Sequence, residues 1–253
     1  MKITFLGTGT SQGIPMLLSE EPVNFSTDSK DKRMRSSIHI QWEKVSCLID
    51  CGADFRMQML NNNIKNIDGI LFTHEHSDHI AGLDDIRPFC YKIGPMPVYA
   101  LPRVMDSLAK RYDYIFSTEN RYPGAAAVIP NIVDKIPFDF KGNTIIPIEV
   151  DHGNLPILGY RIDDFAYLTD VKKIGKASLE KIKGVKTIVL SALRIETHPT
   201  HMNLDEALEM VKIINPDKAY LTHISHRLGF HEEVSKTLPK NVFLAYDGLQ
   251  IEL

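Results

Sequence analysis

Ile67-Asp68-Gly69-Ile70-Leu71-Phe72-Thr73-His74-Glu75-His76-Ser77-Asp78-His79-Ile80-Ala81-Gly82-Leu83 is the stretch whose reading decides the fold. The run 67–72 is apolar and short, as a buried strand requires, and Ile80 to Ile86 has the spacing of a helix start. Between them, residues 74–79 pack three histidines and two carboxylates into six positions. Imidazole nitrogen and carboxylate oxygen suit borderline divalent ions such as zinc, and a strand-to-helix turn lets side chains at i, i+2, i+4 and i+5 converge on one point or two. A solvated polar loop would not need that density of donors.

Working outward, β-branched and apolar runs punctuated by Gly, Pro and Asn predict strands at 2–6, 38–40, 46–50, 67–72 and 97–100. A second set is expected at 144–150, 157–162, 165–169, 187–191, 218–222 and 242–246. Helices are expected at 54–60, 80–90 and 102–115, the last with Val104, Leu108 and Tyr112 at a helical stride. The clearest helix follows Asn203, a natural N-cap with Glu206 three residues on, and stops at Pro216. Two similar strand-then-helix halves point to an α/β chain with two sheets face to face and helices outside. Residues 1–253 are read as one domain.

Further donors stand at the ends of predicted strands: His152 after 144–150, Asp170 after 165–169 and His223 after 218–222. One such residue is ordinarily a hydrogen-bonded loop residue. Four strand-end clusters in one chain point instead to a shared site for two ions. Here the sequence resembles the metallo-β-lactamase superfamily of dinuclear metallohydrolases along nearly its whole length. His74-x-His76-x-Asp78-His79 resembles its first ligand motif, and Leu48-Ile49-Asp50-Cys51-Gly52 its preceding acidic turn. The resemblance implies an αββα four-layer sandwich with two central mixed sheets. It also implies His74, His76 and His152 on one metal, Asp78, His79 and His223 on the other, and Asp170 bridging. Glu75, between ligands, is expected to point away. Two such ions lower the pKa of a shared water and clamp the oxygens of a displacement. Zinc is the first expectation, with manganese or iron as alternatives.

Within the superfamily the likeness is to the branch of tRNase Z and the phosphoribosyl cyclic phosphate phosphodiesterase. That implies a phosphodiesterase for a small cyclic or nucleotide-like substrate, with Asp78 and His201 catalytic and His201 aiding the leaving group. His198 competes for that role. The alternatives are tRNA 3′ processing, thioester or lactam hydrolysis, and a non-catalytic binding protein of the same fold. In the cyclic phosphodiesterase, clustered cysteines in the region of 19–36 hold a structural zinc with a histidine. Here His226 is present but 19–36 contains no cysteine, so that loop must be held by packing and hydrogen bonds or move. Arg33 and Arg35 within it are read either as phosphate-gripping or as a solvated basic turn. Gly7-Thr8-Gly9-Thr10-Ser11-Gln12-Gly13 resembles a phosphate-cradling loop, but no helix pattern follows it, so a tight turn is expected. Asp84, Asp85 and Arg87 are expected to form a structural ion pair.

A net charge of −3 argues against general nucleic-acid binding. Cys47, Cys51 and Cys90 are too few for a disulfide framework and suggest a reducing interior. The segment before Gly7 is too short for a signal-peptide core, and no apolar run approaches the roughly 20 residues a spanning helix needs. A cytoplasmic protein acting on a small phosphodiester, without membrane, is therefore expected, its assembly left open to a homodimer.

Overall fold

The buried apolar runs become strands, and among the described residues the strands sort into two sheets of seven. The computed structural model describes residues 1–117, 119 and 122–253. These divide into two units, each with its own sheet and core.

Unit 1 comprises Met1–Leu6, Ser37–Asp134 and Gln250–Leu253. Its strands are β1 (Lys2–Gly7), β2 (Ser37–Gln41), β3 (Ser46–Ile49), β4 (Ile70–Leu71), β5 (Met96–Ala100), β6 (Val128–Ile132) and, from the other end of the chain, β14 (Gln250–Glu252). The order is β14-β1-β2-β3-β4-β5-β6. Strands β3 to β6 are parallel, while β2 and β14 pair antiparallel to their partners β3 and β1. The expected strand 67–72 has its ladder register at Ile70 and Leu71, flanked by backbone bonds from Asp68 N–H to the Ser46 carbonyl (2.8 Å) and from Phe72 N–H to the Tyr99 carbonyl (2.9 Å). The helices of this unit are α1 (Phe55–Asn61), α2 (Ser77–Ile80), α3 (Arg87–Ile93), α4 (Pro102–Arg111) and α5 (Asp113–Phe116). Val104 and Leu108 turn inward onto a core with Leu48, Phe55, Phe72 and Val98. Burying each such side chain is worth about 1.5–3 kcal/mol.

The expected helix 80–90 starts earlier and is broken. Helix α2 begins at Ser77 with His76 as N-cap residue, and a 3₁₀ turn, Leu83–Ile86, separates it from α3. Gly82 lies at the break because a Cβ there would collide with the Gly52 carbonyl oxygen and stand 2.7 Å from Phe55 Cβ. This close approach lets Gly82 N–H donate to the Cys51 carbonyl (2.9 Å) and Cys51 N–H to the His79 carbonyl (2.7 Å). The donor-bearing turn is thereby tied to the end of β3.

Unit 2 comprises Gly7–Ser36 and Lys135–Leu249. Its strands are β7 (Phe138–Phe140), β8 (Asn143–His152), β9 (Leu155–Ile162), β10 (Phe165–Leu168), β11 (Thr187–Ser191), β12 (Lys218–Thr222) and β13 (Val242–Leu244), in the order β13-β12-β11-β10-β9-β8-β7. Strands β10 to β13 are parallel, and β7, β8 and β9 alternate in direction, so β8 runs the same way as β10. The central strands are buried at nearly every position, as strands covered on both faces must be. The helices are α6 (Lys176–Ile182), α7 (Leu204–Ile214) and α8 (His231–Ser235). Helix α7 has the expected capping box: Asn203 Oδ1 accepts from Glu206 N–H (2.9 Å) and Glu206 Oε2 from Asn203 N–H (3.0 Å).

Candidate metal centre

In unit 1, parallel β3 and β4 end on the same side of their sheet, which brings Asp50 and the turn 73–79 together. Asp50 is fully buried and accepts three hydrogen bonds: from Thr73 N–H (2.8 Å), from Thr73 Oγ1 (2.8 Å) and from His79 Nδ1 (2.7 Å). Burial pushes its carboxyl up, against the opposing pull of His79 and Thr73. Its bond to Nδ1 fixes the His79 tautomer and leaves Nε2 outward, 3.1 Å from Asp78 Oδ2. Thr73 Oγ1 also touches His74 Nδ1 (2.9 Å), and His74 Nε2 faces His76 Nδ1 at 3.0 Å. His74, His76, Asp78 and His79 are thus brought into two close donor pairs. Glu75 turns away as expected, onto Arg103 (3.0 Å).

In unit 2, strands β8, β10, β11 and β12 all end at one side of the sheet, where ligands of parallel sheets collect. His152 closes β8, Asp170 follows β10, the loop after β11 carries His201, and His223 follows β12. His152 Nδ1 donates to the Thr200 carbonyl (2.9 Å), which fixes the ring's tautomer and orientation. Asp170 Oδ1 accepts from Thr169 Oγ1 (2.6 Å) and lies 3.1 Å from His223 Nδ1. The His201 ring stacks on His223 (5.0 Å, 17°) and sits 4.5 Å from His152. One donor atom each of His152, Asp170 and His201 lie within 4.8 Å of one another. His201 is 8% exposed, its Nδ1 has no hydrogen-bond partner among the described residues, and it lies 4.0 Å from Asp170 Oδ2. Burial and the neighbouring His223 hold it down at about 3. His198 is less buried and turned onto its own loop, against Thr200 N (3.3 Å) and Thr200 Oγ1 (3.2 Å).

Asp50, Asp170 and His223 share left-handed backbone, with φ of 64°, 56° and 57°. Non-glycine residues rarely adopt it, and held strain of this kind collects at functional positions. The donor chemistry of both units, imidazoles gathered beside carboxylates and several held through one ring nitrogen, fits divalent ions.

Two expectations are corrected. Arg33 is neither solvated nor phosphate-gripping: it is 4% exposed and bonded inside unit 2 to Thr8, Ala245 and His231. Arg35 is half-buried, and its Nε donates to the Ser11 carbonyl (3.1 Å) in an exposed hydrogen bond. Asp84 and Arg87 do pair (2.6 Å), but the third partner is Tyr114 (2.8 Å), not Asp85. The supports Asp50, Thr73, Ser36 and the Thr200 carbonyl were not foreseen as such. Asp50 alone had a signal, an acid between an apolar strand and Gly52.

Residues 46–224 match the β-lactamase superfamily domain. The chain belongs to the metallo-β-lactamase superfamily. The crystal structure of a diphosphatase of the PhnP family is 39% identical and superposes with a TM-score of 0.93, over 100% of this chain and 97% of that one. Ribonuclease Z of Bacillus licheniformis is 30% identical over 205 residues, 75% of this chain and 60% of that enzyme. Human tRNase Z, short form, at 19% identity and a TM-score of 0.72, shares the fold, over 100% of this chain and 99% of that one. An octanoyltransferase of Porphyromonas gingivalis is 37% identical over 253 residues, 99% of this metallo-β-lactamase-fold chain but only 51% of that protein. The chain thus spans about half the length of that relative. The α/β class, with two mixed sheets and helices, is the one expected. Among the described residues, no helix is long and apolar enough to cross a membrane.

Proposed function

We propose that this chain is a divalent-metal-dependent phosphodiesterase for small substrates. His74, His76, Asp78 and His79 of unit 1, with His152, Asp170 and His223 of unit 2, would share two ions as in the family, zinc before manganese or iron, and the two units would act as one domain. When bound, such ions supply Lewis acidity and ionise water near neutral pH. The likeness to a PhnP-family diphosphatase and to ribonuclease Z supports phosphoester chemistry.

The observation that carries the reading is the buried His201, stacked on His223 beside Asp170 with an unsatisfied ring nitrogen. A leaving alkoxide needs its developing charge stabilised, and a neutral imidazole held close supplies a hydrogen bond to it. His201 also stands two residues before the N-cap of α7, whose positive end favours an anionic group by about 0.3–1 kcal/mol. His198, committed to Thr200, is the weaker candidate.

Hydrolysis of bis(p-nitrophenyl) phosphate with zinc or manganese tests this: turnover is expected in the native chain and lost in Asp170→Ala and His201→Ala. Equal rates in native and Asp170→Ala protein would overturn it. A second reading, hydrolysis of an acyl ester or thioester, is favoured by the octanoyltransferase relative, half of which matches this chain end to end. A p-nitrophenyl octanoate assay alongside separates the two.

A further inference from the structure

Unit 2 buries charge that the donor set does not use. Arg33 Nη1 donates to Thr8 Oγ1 (2.7 Å) and to the Ala245 carbonyl (2.5 Å), and Nη2 meets His231 Nδ1 (3.1 Å). Thr8 Oγ1 in turn donates to Asp247 Oδ1 (2.7 Å), whose other oxygen accepts from Met34 N–H (2.6 Å). Burial pulls Arg33 down to about 10 and pushes Asp247 up to about 6. Buried ion networks are often no more stable than apolar replacements of equal volume, so stability alone does not explain this one.

Its position does. The three residues fix two backbone segments that run directly to His223. Ile14 and Arg33 exchange backbone hydrogen bonds (2.9 and 2.8 Å), and Gly9 N–H donates to the Met34 carbonyl (2.8 Å). The fit is close: a Cβ on Gly9 would stand 2.9 Å from the Arg33 carbonyl oxygen. Thr10 N–H donates to the Ile224 carbonyl (3.0 Å), and Ile224 N–H to the Thr8 carbonyl (2.9 Å). At the far ends, Thr10 Oγ1 lies 3.2 Å from His223 Nε2 and Ser36 Oγ 3.3 Å from His223 Nδ1. Thr8 is two residues from Thr10, and Arg33 three from Ser36.

We propose that Arg33, Thr8 and Asp247 form a buried clasp that positions His223, acting through segments 8–10 and 33–36 as positioning residues. The inference rests on His223 being a metal ligand. Lysine cannot substitute, because one ammonium cannot span Thr8, the Ala245 carbonyl and His231 as the planar guanidinium does.

The test is calorimetric titration of zinc into the metal-depleted full chain, with circular dichroism as the folding control. His223→Ala is expected to lose one of the bound ions. Thr8→Val, nearly isosteric and severing Arg33 from Asp247, is expected to keep both ions but to weaken the looser one by about 10–100-fold, as loss of an outer partner of a ligand does. Arg33→Lys should fall in the same range. Native zinc affinity in folded Thr8→Val and Arg33→Lys, with an ion lost in His223→Ala, would overturn the clasp alone. Native zinc binding in His223→Ala would overturn the reading of the ligand beneath it.

Discussion

The two units hold their donors in opposite ways. Unit 1 concentrates four of them in one turn, His74 to His79, and steadies the turn through the buried acid Asp50, with Thr73 on His74 and the Cys51 backbone on His79 beside it. Unit 2 draws His152, Asp170 and His223 from strand ends and His201 from the loop after β11, and gives each its own neighbours: the Thr200 carbonyl, Thr169, Thr10 with Ser36, and the His223 ring. One arrangement depends on local chain geometry around a shared acid, the other on the register of a parallel sheet. The contrast teaches where each is vulnerable. Unit 1 is most exposed at the acid its donors share, unit 2 at a donor itself.

The largest effect is expected at a unit 2 donor. Asp170→Ala should lower kcat/KM on bis(p-nitrophenyl) phosphate by on the order of 10³-fold or more, matching the several kcal/mol of charge stabilisation such a site supplies. A loss under tenfold would break the comparison at its centre. Next, Asp50→Asn should weaken zinc binding by about 10–100-fold, since one amide oxygen cannot replace both carboxylate oxygens that accept from Thr73 and orient His79. Thr200→Ala keeps the carbonyl that serves His152 and should bind zinc as the native chain does. Equal losses in the two variants would erase the distinction between side-chain and backbone support.

Acid should strike both units over one window. His39 in unit 1 and His231 in unit 2 are each held at about 4, chiefly by burial, with Lys2 adding to it at His39 and Arg33 and Lys30 at His231 against Asp28 and Asp31. The unfolded chain protonates both near 6.5, so this stability is complete above pH 6.5 and is lost as pH falls toward 4. Tm should drop by roughly 5 °C or more across that interval, and amide exchange should report both sheets loosening. A flat Tm would show that neither imidazole is kept neutral. The smallest effect belongs to Asn203→Ala, which removes the cap of α7 and should cost about 1 kcal/mol. Thermal unfolding would measure it, and an unchanged Tm would mean the α7 capping box contributes nothing.

Much of this was legible from residues. The interior strands announced themselves because burial on both faces demands continuous apolar runs, as in Phe165–Leu168 and Thr187–Ser191. The strands that escaped, Val128–Ile132, Phe138–Phe140 and Gln250–Glu252, all lie at sheet edges. There one side has no partner, three residues suffice, and even Pro130 is tolerated, so the pattern carries little signal. The candidate donors stood out because metal chemistry restricts residue type. Their supports did not, because a threonine hydroxyl or a backbone carbonyl looks like any other until the chain is folded. Arg33 was misread for the same reason: a basic residue in a polar loop gives no sign that it faces inward.

The left-handed turns at Asp50, Asp170 and His223 set how the protein meets its ions. Strand ladders and threonine hydroxyls already fix these residues, so coordination need not drive folding as it does in a zinc finger. Loading becomes a local exchange on a finished scaffold. With the ions held as proposed, one could be lost to a chelator and another of different identity taken up without passage through an unfolded state.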